Sequence, residues 1–384
     1  MHKSHGKAKI MNQYSSSAMK AQSKTAALRL EMTTSALDHR TVYVVGNFND
    51  WQVCDARFKM NNDGEGRFSL VFPADLQLPA PLEYKYTCGD WTSEELDEYG
   101  CSISNRSLQP SSDYQRDYVP RWRSKGLDHN PAFLPIPQII TNAFDMPQLG
   151  KKRRVSILLP HDYQQTNTHY PVIYLQDGQN LFDDYAPYGN WGVNKRLAVL
   201  AERGQGNVIV VAIDHGGVER AAEYTPTYEG TRLGTGFGKD YAKFMCETLK
   251  PYIDHNFRTL TGREHTAIGG SSMGGLISIY AALMYPQVYS KMMIFSPALW
   301  VTSKIYFEAI HFVNPFNTKI YLYAGGNESA SMIPNVQRFR DAFERRGMNS
   351  GGIEFQLSID PKGQHNEARW GREFPRAVEW LFKG

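Results

Sequence analysis

Residues 266–276 read TAIGGSSMGGL, and Gly270, Ser272 and Gly274 fall within them on the spacing G-x-S-x-G. A serine hydroxyl is a weak nucleophile until a base takes its proton and hydrogen-bond donors wait for the oxyanion it creates. Glycines two positions to either side let a strand turn sharply into a helix, with the serine in strained backbone and its hydroxyl aimed outward. An apolar run precedes the motif and a helical pattern follows from about residue 275 to 285, so Ser272 is the candidate nucleophile, with the helix dipole beneath the oxyanion. A plain glycine-rich turn is the competing reading. Ser271 has Gly269 and Met273 at its flanks and does not fit the spacing.

Where a strand–elbow–helix carries the nucleophile, the acid and then the histidine follow it along the chain. Only His311 and His365 lie beyond Ser272. His311 sits in an apolar segment and reads as a partly buried helix residue. His365, in the loop GQHNE of residues 363–367 after the last expected strand, is placed to take the serine proton. For the acid, the loop GGNES of residues 325–329 offers Glu328, with Asp360 as its rival. The second oxyanion donor comes from the loop after the third strand, QDGQN at residues 176–180. The amides of Gln179 and Met273 are therefore the two candidate donors, unless Asp177 and Gly178 form only a tight turn.

These loops need a sheet to carry them. Apolar runs at residues 155–159, 172–175, 208–213, 266–268, 292–295, 320–324 and 355–359 predict buried strands. Between them Tyr241, Phe244, Met245, Leu249, Tyr252 and Ile253 share one helical face, as do Val336, Phe339 and Phe343, then Phe374, Ala377, Val378, Leu381 and Phe382. The alternation predicts an α/β fold with a mostly parallel, doubly wound sheet over residues 136–384. Before it, short strands and turns over residues 26–118 predict a small all-β immunoglobulin-like sandwich. Residues 1–25 are expected to be a disordered leader and 119–135, rich in proline, a linker.

Charge and cysteine usage exclude several classes. Forty-two basic residues against 39 acidic ones, net +3, are spread without blocks, so no nucleic-acid partner is expected. No run is long and apolar enough for a membrane span or a signal-peptide core, which predicts a soluble, cytoplasmic chain with no membrane partner. The four cysteines lack metal-ligand spacing, so neither a metal nor another cofactor is expected; a Cys88–Cys101 disulfide is conceivable. The run GTGFGK at residues 234–239 imitates a phosphate cradle, but Asp240 stands where serine or threonine is needed, and a mobile loop at the active-site mouth is the expectation instead.

The domain from about residue 131 resembles the α/β-hydrolase esterases that include enterochelin esterases, feruloyl esterases and the mycolyltransferase antigens. YLQDGQNLFD at 174–183, the elbow, FSPALW at 295–300, YAGGNE at 323–328 and GQHNE at 363–367 carry the resemblance. It implies Ser272 as nucleophile, His365 as base and Glu328 in the acid position. TVYVVGNFNDW at 41–51, YKYTCGDW at 84–91 and the pair Asn105 and Arg106 are similar to starch- and glycogen-binding modules. That similarity makes Trp51 and Trp91 candidate platforms for sugar rings, a scaffold or active-site cap being the alternative.

The expected activity is hydrolysis of a carboxylic ester through an acyl-enzyme, the substrate being a siderophore-type lactone or an acyl or feruloyl ester of a sugar. Acyl transfer by the same acyl-enzyme and a non-catalytic glycan-binding protein are the alternatives. Trp191, Arg220, Glu223, Tyr224 and Trp300 lie near expected strand ends and are candidate substrate contacts.

Overall fold

The computed structural model describes residues 27–35, 38–109, 112–184, 186–227, 231–311, 317–347 and 352–383. The expected leader at 1–25 lies outside the described residues. Packing divides the chain into two compact units: residues up to Gly89 with Asn105–Tyr118, and Asp90–Ser104 with Val119 onward.

The smaller unit holds a four-stranded sheet and a three-stranded one. Arg29–Thr33 pairs antiparallel with Arg67–Val71 and parallel with Tyr114–Tyr118, while Tyr43–Gly46 and Arg106–Leu108 flank Leu82–Thr87. Alternation puts Leu30, Met32, Val44, Phe68, Leu70, Tyr84 and Tyr86 inside. Asp117, nearly buried, accepts both tyrosine hydroxyls, at 2.7 Å from Tyr84 and 2.8 Å from Tyr86, and pairs with Arg106 at 3.0 Å.

The larger unit is built on eight strands: β1 (Pro137–Met146), β2 (Lys151–Leu158), β3 (Val172–Gln176), β4 (Ile209–Ile213), β5 (Thr266–Ser271), β6 (Lys291–Phe295), β7 (Thr318–Gly325) and β8 (Ile353–Asp360). Their order is β1-β2-β4-β3-β5-β6-β7-β8, with β2 antiparallel to both neighbours and the rest parallel. Central strands are apolar on both faces because helices cover both. In β4, Ile209, Val211 and Ile213 pack toward the helices α3 (Gly238–Phe244), α5 (Met273–Met284) and α7 (Met332–Gly347). Val210 and Ala212 face α1 (Val193–Glu202) and α8 (Glu367–Phe382).

Residues 90–104, expected in the sandwich, pack in the larger unit because Glu95–Leu96 pairs with Arg121–Trp122 and the Tyr99 hydroxyl donates to Glu379 at 2.6 Å. The stretch expected as a linker is likewise fixed. Val119 and Trp122 are buried, and Arg196 of α1 pairs with Asp128 at 2.6 Å. None of the four cysteines forms a disulfide, so the Cys88–Cys101 bridge is absent. No helix among the described residues is long and apolar enough to cross a membrane.

Candidate active site

β5 ends at Ser271, buried in the sheet, and α5 begins at Met273. Ser272 between them has φ 54 and ψ −120, backbone that a side chain rarely adopts. It is pinned by its own amide to the Phe295 carbonyl at 3.0 Å and by its carbonyl to the amides of Ala298, 3.0 Å, and Leu276, 3.1 Å. The elbow is tight enough that a Cβ on Gly270 would stand 2.8 Å from the Gly274 carbonyl carbon. Burial separates the two serines: Ser271 is enclosed, whereas Ser272 is partly open to solvent.

His365 and Glu328 meet above the same edge of the sheet. Nδ1 of His365 lies 2.7 Å from Oε2 of Glu328, whose side chain is 1% exposed while the imidazole is 39% exposed. The other oxygen, Oε1, accepts from the Ser296 hydroxyl at 2.6 Å and the Gly325 amide at 2.7 Å. Ser296 in turn accepts from the indole N–H of Trp370 at 2.9 Å, and the Trp370 ring meets the imidazole edge-on with centroids 4.8 Å apart. The loops after β7 and β8 approach closely enough that a Cβ on Gly363 would fall 2.9 Å from the Gly325 Cα. Asp360, the rival acid, is occupied elsewhere, paired with Arg369 at 2.7 Å.

After β3 the chain turns through Asp177, left-handed at φ 59, into a single 3-10 turn, Gly178–Asn180. Gln179 exchanges amide contacts with His215: its Nε2 donates to the His215 carbonyl at 3.3 Å and its Oε1 accepts the His215 amide at 2.9 Å. Met273, as the first residue of α5, belongs to the first turn, whose N–H groups have no carbonyl within the helix. Glu367 stands beside the Gly178–Asn180 turn, accepting from Nδ2 of Asn180 at 3.4 Å, and burial raises its carboxyl above the usual range.

The expected substrate contacts divide. Trp300 is exposed in the 3-10 turn Leu299–Val301 that follows β6. Trp191, Glu223 and Tyr224 are instead buried, which corrects the sequence reading: a position after a strand does not tell which way a side chain turns. Trp191 stacks on Phe295 at 5.3 Å beside Phe374, and Glu223, wholly buried, is held by Arg153 at 2.7 Å and Lys151 at 3.1 Å. Trp191→Ala should therefore lower stability by about 3–5 kcal/mol through a core cavity, measured by denaturant unfolding, rather than act on substrate affinity alone. Arg220 is engaged with Asp177 by two hydrogen bonds, 2.7 and 2.8 Å.

Of the two candidate sugar platforms, Trp51 is half-buried in the smaller unit, following Asp50 in left-handed backbone, and Trp91 is exposed in the larger one. The loop expected to be mobile is tied by Arg232 to the Val301 carbonyl at 3.0 Å and by Thr227 to Gly236 at 2.8 Å. The side chain of His311 lies outside the described residues. Ser296, Trp370 and the Asp177–Arg220 pair escaped the sequence reading, although Ser296 stands in the motif FSPALW.

Sheet order, elbow and strand-end loops are those of an α/β-hydrolase. Residues 147–381, more than half of the chain, match the family described as "Putative esterase", and the chain belongs to that family. It is thus a carboxylic ester hydrolase. Uncharacterized protein YbbA of Bacillus subtilis (strain 168) is 23% identical over 245 residues, 60% of this chain and 92% of that one. The siderophore triacetylfusarinine C esterase of Aspergillus fumigatus is 28% identical over 148 residues, 37% of this chain and 49% of that protein. Among solved structures, the enterobactin esterase FES from Shigella flexneri, in the presence of enterobactin, superposes with a TM-score of 0.54 at 16% identity, covering 90% of this chain and 88% of that one.

Proposed function

We propose that the protein hydrolyses carboxylic esters through an acyl-enzyme on Ser272. The observation that carries this is the strained, solvent-facing elbow serine on the same edge of the sheet as the His365–Glu328 pair. Glu328 occupies Nδ1, which leaves Nε2 as the atom for proton transfer. Ser272 Oγ attacks the ester carbonyl as Nε2 takes its proton, and the oxyanion is received by the amides of Met273 and Gln179. Collapse expels the alcohol, protonated by His365. Water, deprotonated by the same imidazole, then attacks the acyl-enzyme, and the carboxylic acid leaves as the serine regains its proton.

For the substrate we favour a siderophore-type lactone over an acyl or feruloyl sugar ester. Its support is the names of two relatives, the triacetylfusarinine C esterase and the enterobactin esterase. Exposed Trp300, two residues beyond the Ala298 amide that holds the Ser272 carbonyl, offers an aromatic face. A panel of a catecholate trilactone, a hydroxamate triester, feruloyl oligosaccharides and acetylated sugars should give kcat/KM at least about 100-fold higher for one of the first two. Preference for a sugar ester would overturn the assignment. A fluorophosphonate probe should add one phosphonyl group, mapped to Ser272 by peptide mass spectrometry.

A further inference from the structure

The Asp177 carboxylate, 7% exposed, sits at the entrance of the turn that carries Gln179. It also presses on the elbow: a Cβ built on Gly274 would stand 2.8 Å from its Oδ2. A negative charge thus lies against the first turn of α5, where amides and helix dipole are arranged for an oxyanion. Left alone, that carboxylate would repel the charge developing on the substrate oxygen, and a nearly buried site screens little.

Arg220 meets it with a fork. Nε donates to Oδ1 at 2.7 Å and Nη2 to Oδ2 at 2.8 Å, while the guanidinium lies over the buried Tyr224 ring at 5.2 Å. Arg220 opens α2 (Arg220–Tyr224), just beyond the loop after β4, and that loop also holds Gln179 through the His215 backbone. One segment therefore grips the turn twice, at Asp177 and at Gln179.

We infer that Arg220 is a positioning residue of the oxyanion turn: it cancels the Asp177 charge beside the elbow and fixes the turn, and it is not a substrate-binding group. The role rests on Ser272 being the nucleophile. Both functions act on the transition state, where the oxyanion exists, so losing them lowers kcat and spares KM.

The test is a double-mutant cycle read with a p-nitrophenyl ester. Arg220→Met should lower kcat about 100-fold with KM within about threefold, in the range of a lost oxyanion donor. Asp177→Asn, tolerated at left-handed φ, should lower kcat by less than about tenfold, because it loosens the grip on the turn but leaves no negative charge beside the elbow. Asp177→Asn/Arg220→Met should recover to within about tenfold of wild type, since no uncompensated charge remains. Thermal unfolding of each variant verifies folding. If Arg220→Met does not fold, Arg220→Lys against the double variant decides, the double variant being the more active if charge balance is what matters.

An Arg220→Met variant that raises KM at unchanged kcat would overturn the role and make Arg220 a substrate contact, and a double variant no better than Arg220→Met would overturn it by showing that charge balance is not what matters. Ser272→Ala run in parallel separates the two failures. If it abolishes turnover while the cycle shows no recovery, only the Arg220 role falls; if it retains turnover, the nucleophile assignment falls and the Arg220 role with it.

Discussion

Ser272→Ala should leave less than about 10⁻⁵ of the wild-type kcat on any ester the protein hydrolyses, because no neighbouring hydroxyl occupies the elbow and nucleophile and base act as a unit. Ser271, the adjacent serine, is buried at the end of β5 and cannot substitute. Folding should survive, since Ser272 is held by backbone hydrogen bonds that alanine keeps. Ser272→Gly adds a diagnostic. At φ 54 and ψ −120 a side chain costs about 1–3 kcal/mol, and glycine relieves it while adding about 0.5–1 kcal/mol of unfolded-chain entropy. The glycine variant should be inactive yet about 1 kcal/mol more stable in urea unfolding than the alanine one. Equal stability would mean that the elbow stores no strain.

Glu328→Gln should lower kcat about 10³- to 10⁴-fold with little change in KM. The size follows from the division of labour at the carboxylate. Oε1 accepts from Ser296 and the Gly325 amide, so a glutamine must turn its carbonyl to that side. Its NH₂ then faces His365 Nδ1, which must accept, and the ring proton moves to Nε2, where it blocks the base. Steady-state kinetics of Glu328→Gln beside Asp360→Asn checks the assignment. The second variant loses only the pair with Arg369 and should stay within about threefold of wild type. The reverse order would make Asp360 the acid.

Features with a local cause could be read from the sequence. The elbow shows as glycine spacing between an apolar run and a helical pattern, and the central strands show as apolar runs because both faces are buried. β1 leaves no such trace, since it is an edge strand, largely exposed and broken by register shifts. Asn61–Gly64 in the smaller unit, exposed throughout, reads as a turn. Glu223 reads as a substrate contact because its partner Arg153 lies 70 positions away. Ser296 was invisible for the same reason: its value to Glu328 depends on two loops meeting, which no spacing encodes. Glu328 and His365 could be chosen only because chain order in such folds limits the candidates.

Ser272, Glu328 and His365 each follow a different parallel strand, β5, β7 and β8, and every crossover between those strands runs over one face of the sheet. The pairing of His365 with Glu328 joins two of these strand-end loops across a helical crossover, so no single hairpin can form it alone. On the proposed mechanism, all the strands from β5 to β8 must be in place before an ester bond can break. On the proposed mechanism, turnover reports that the sheet is complete through β8, and a nascent chain that ends before β8 carries the elbow without its base.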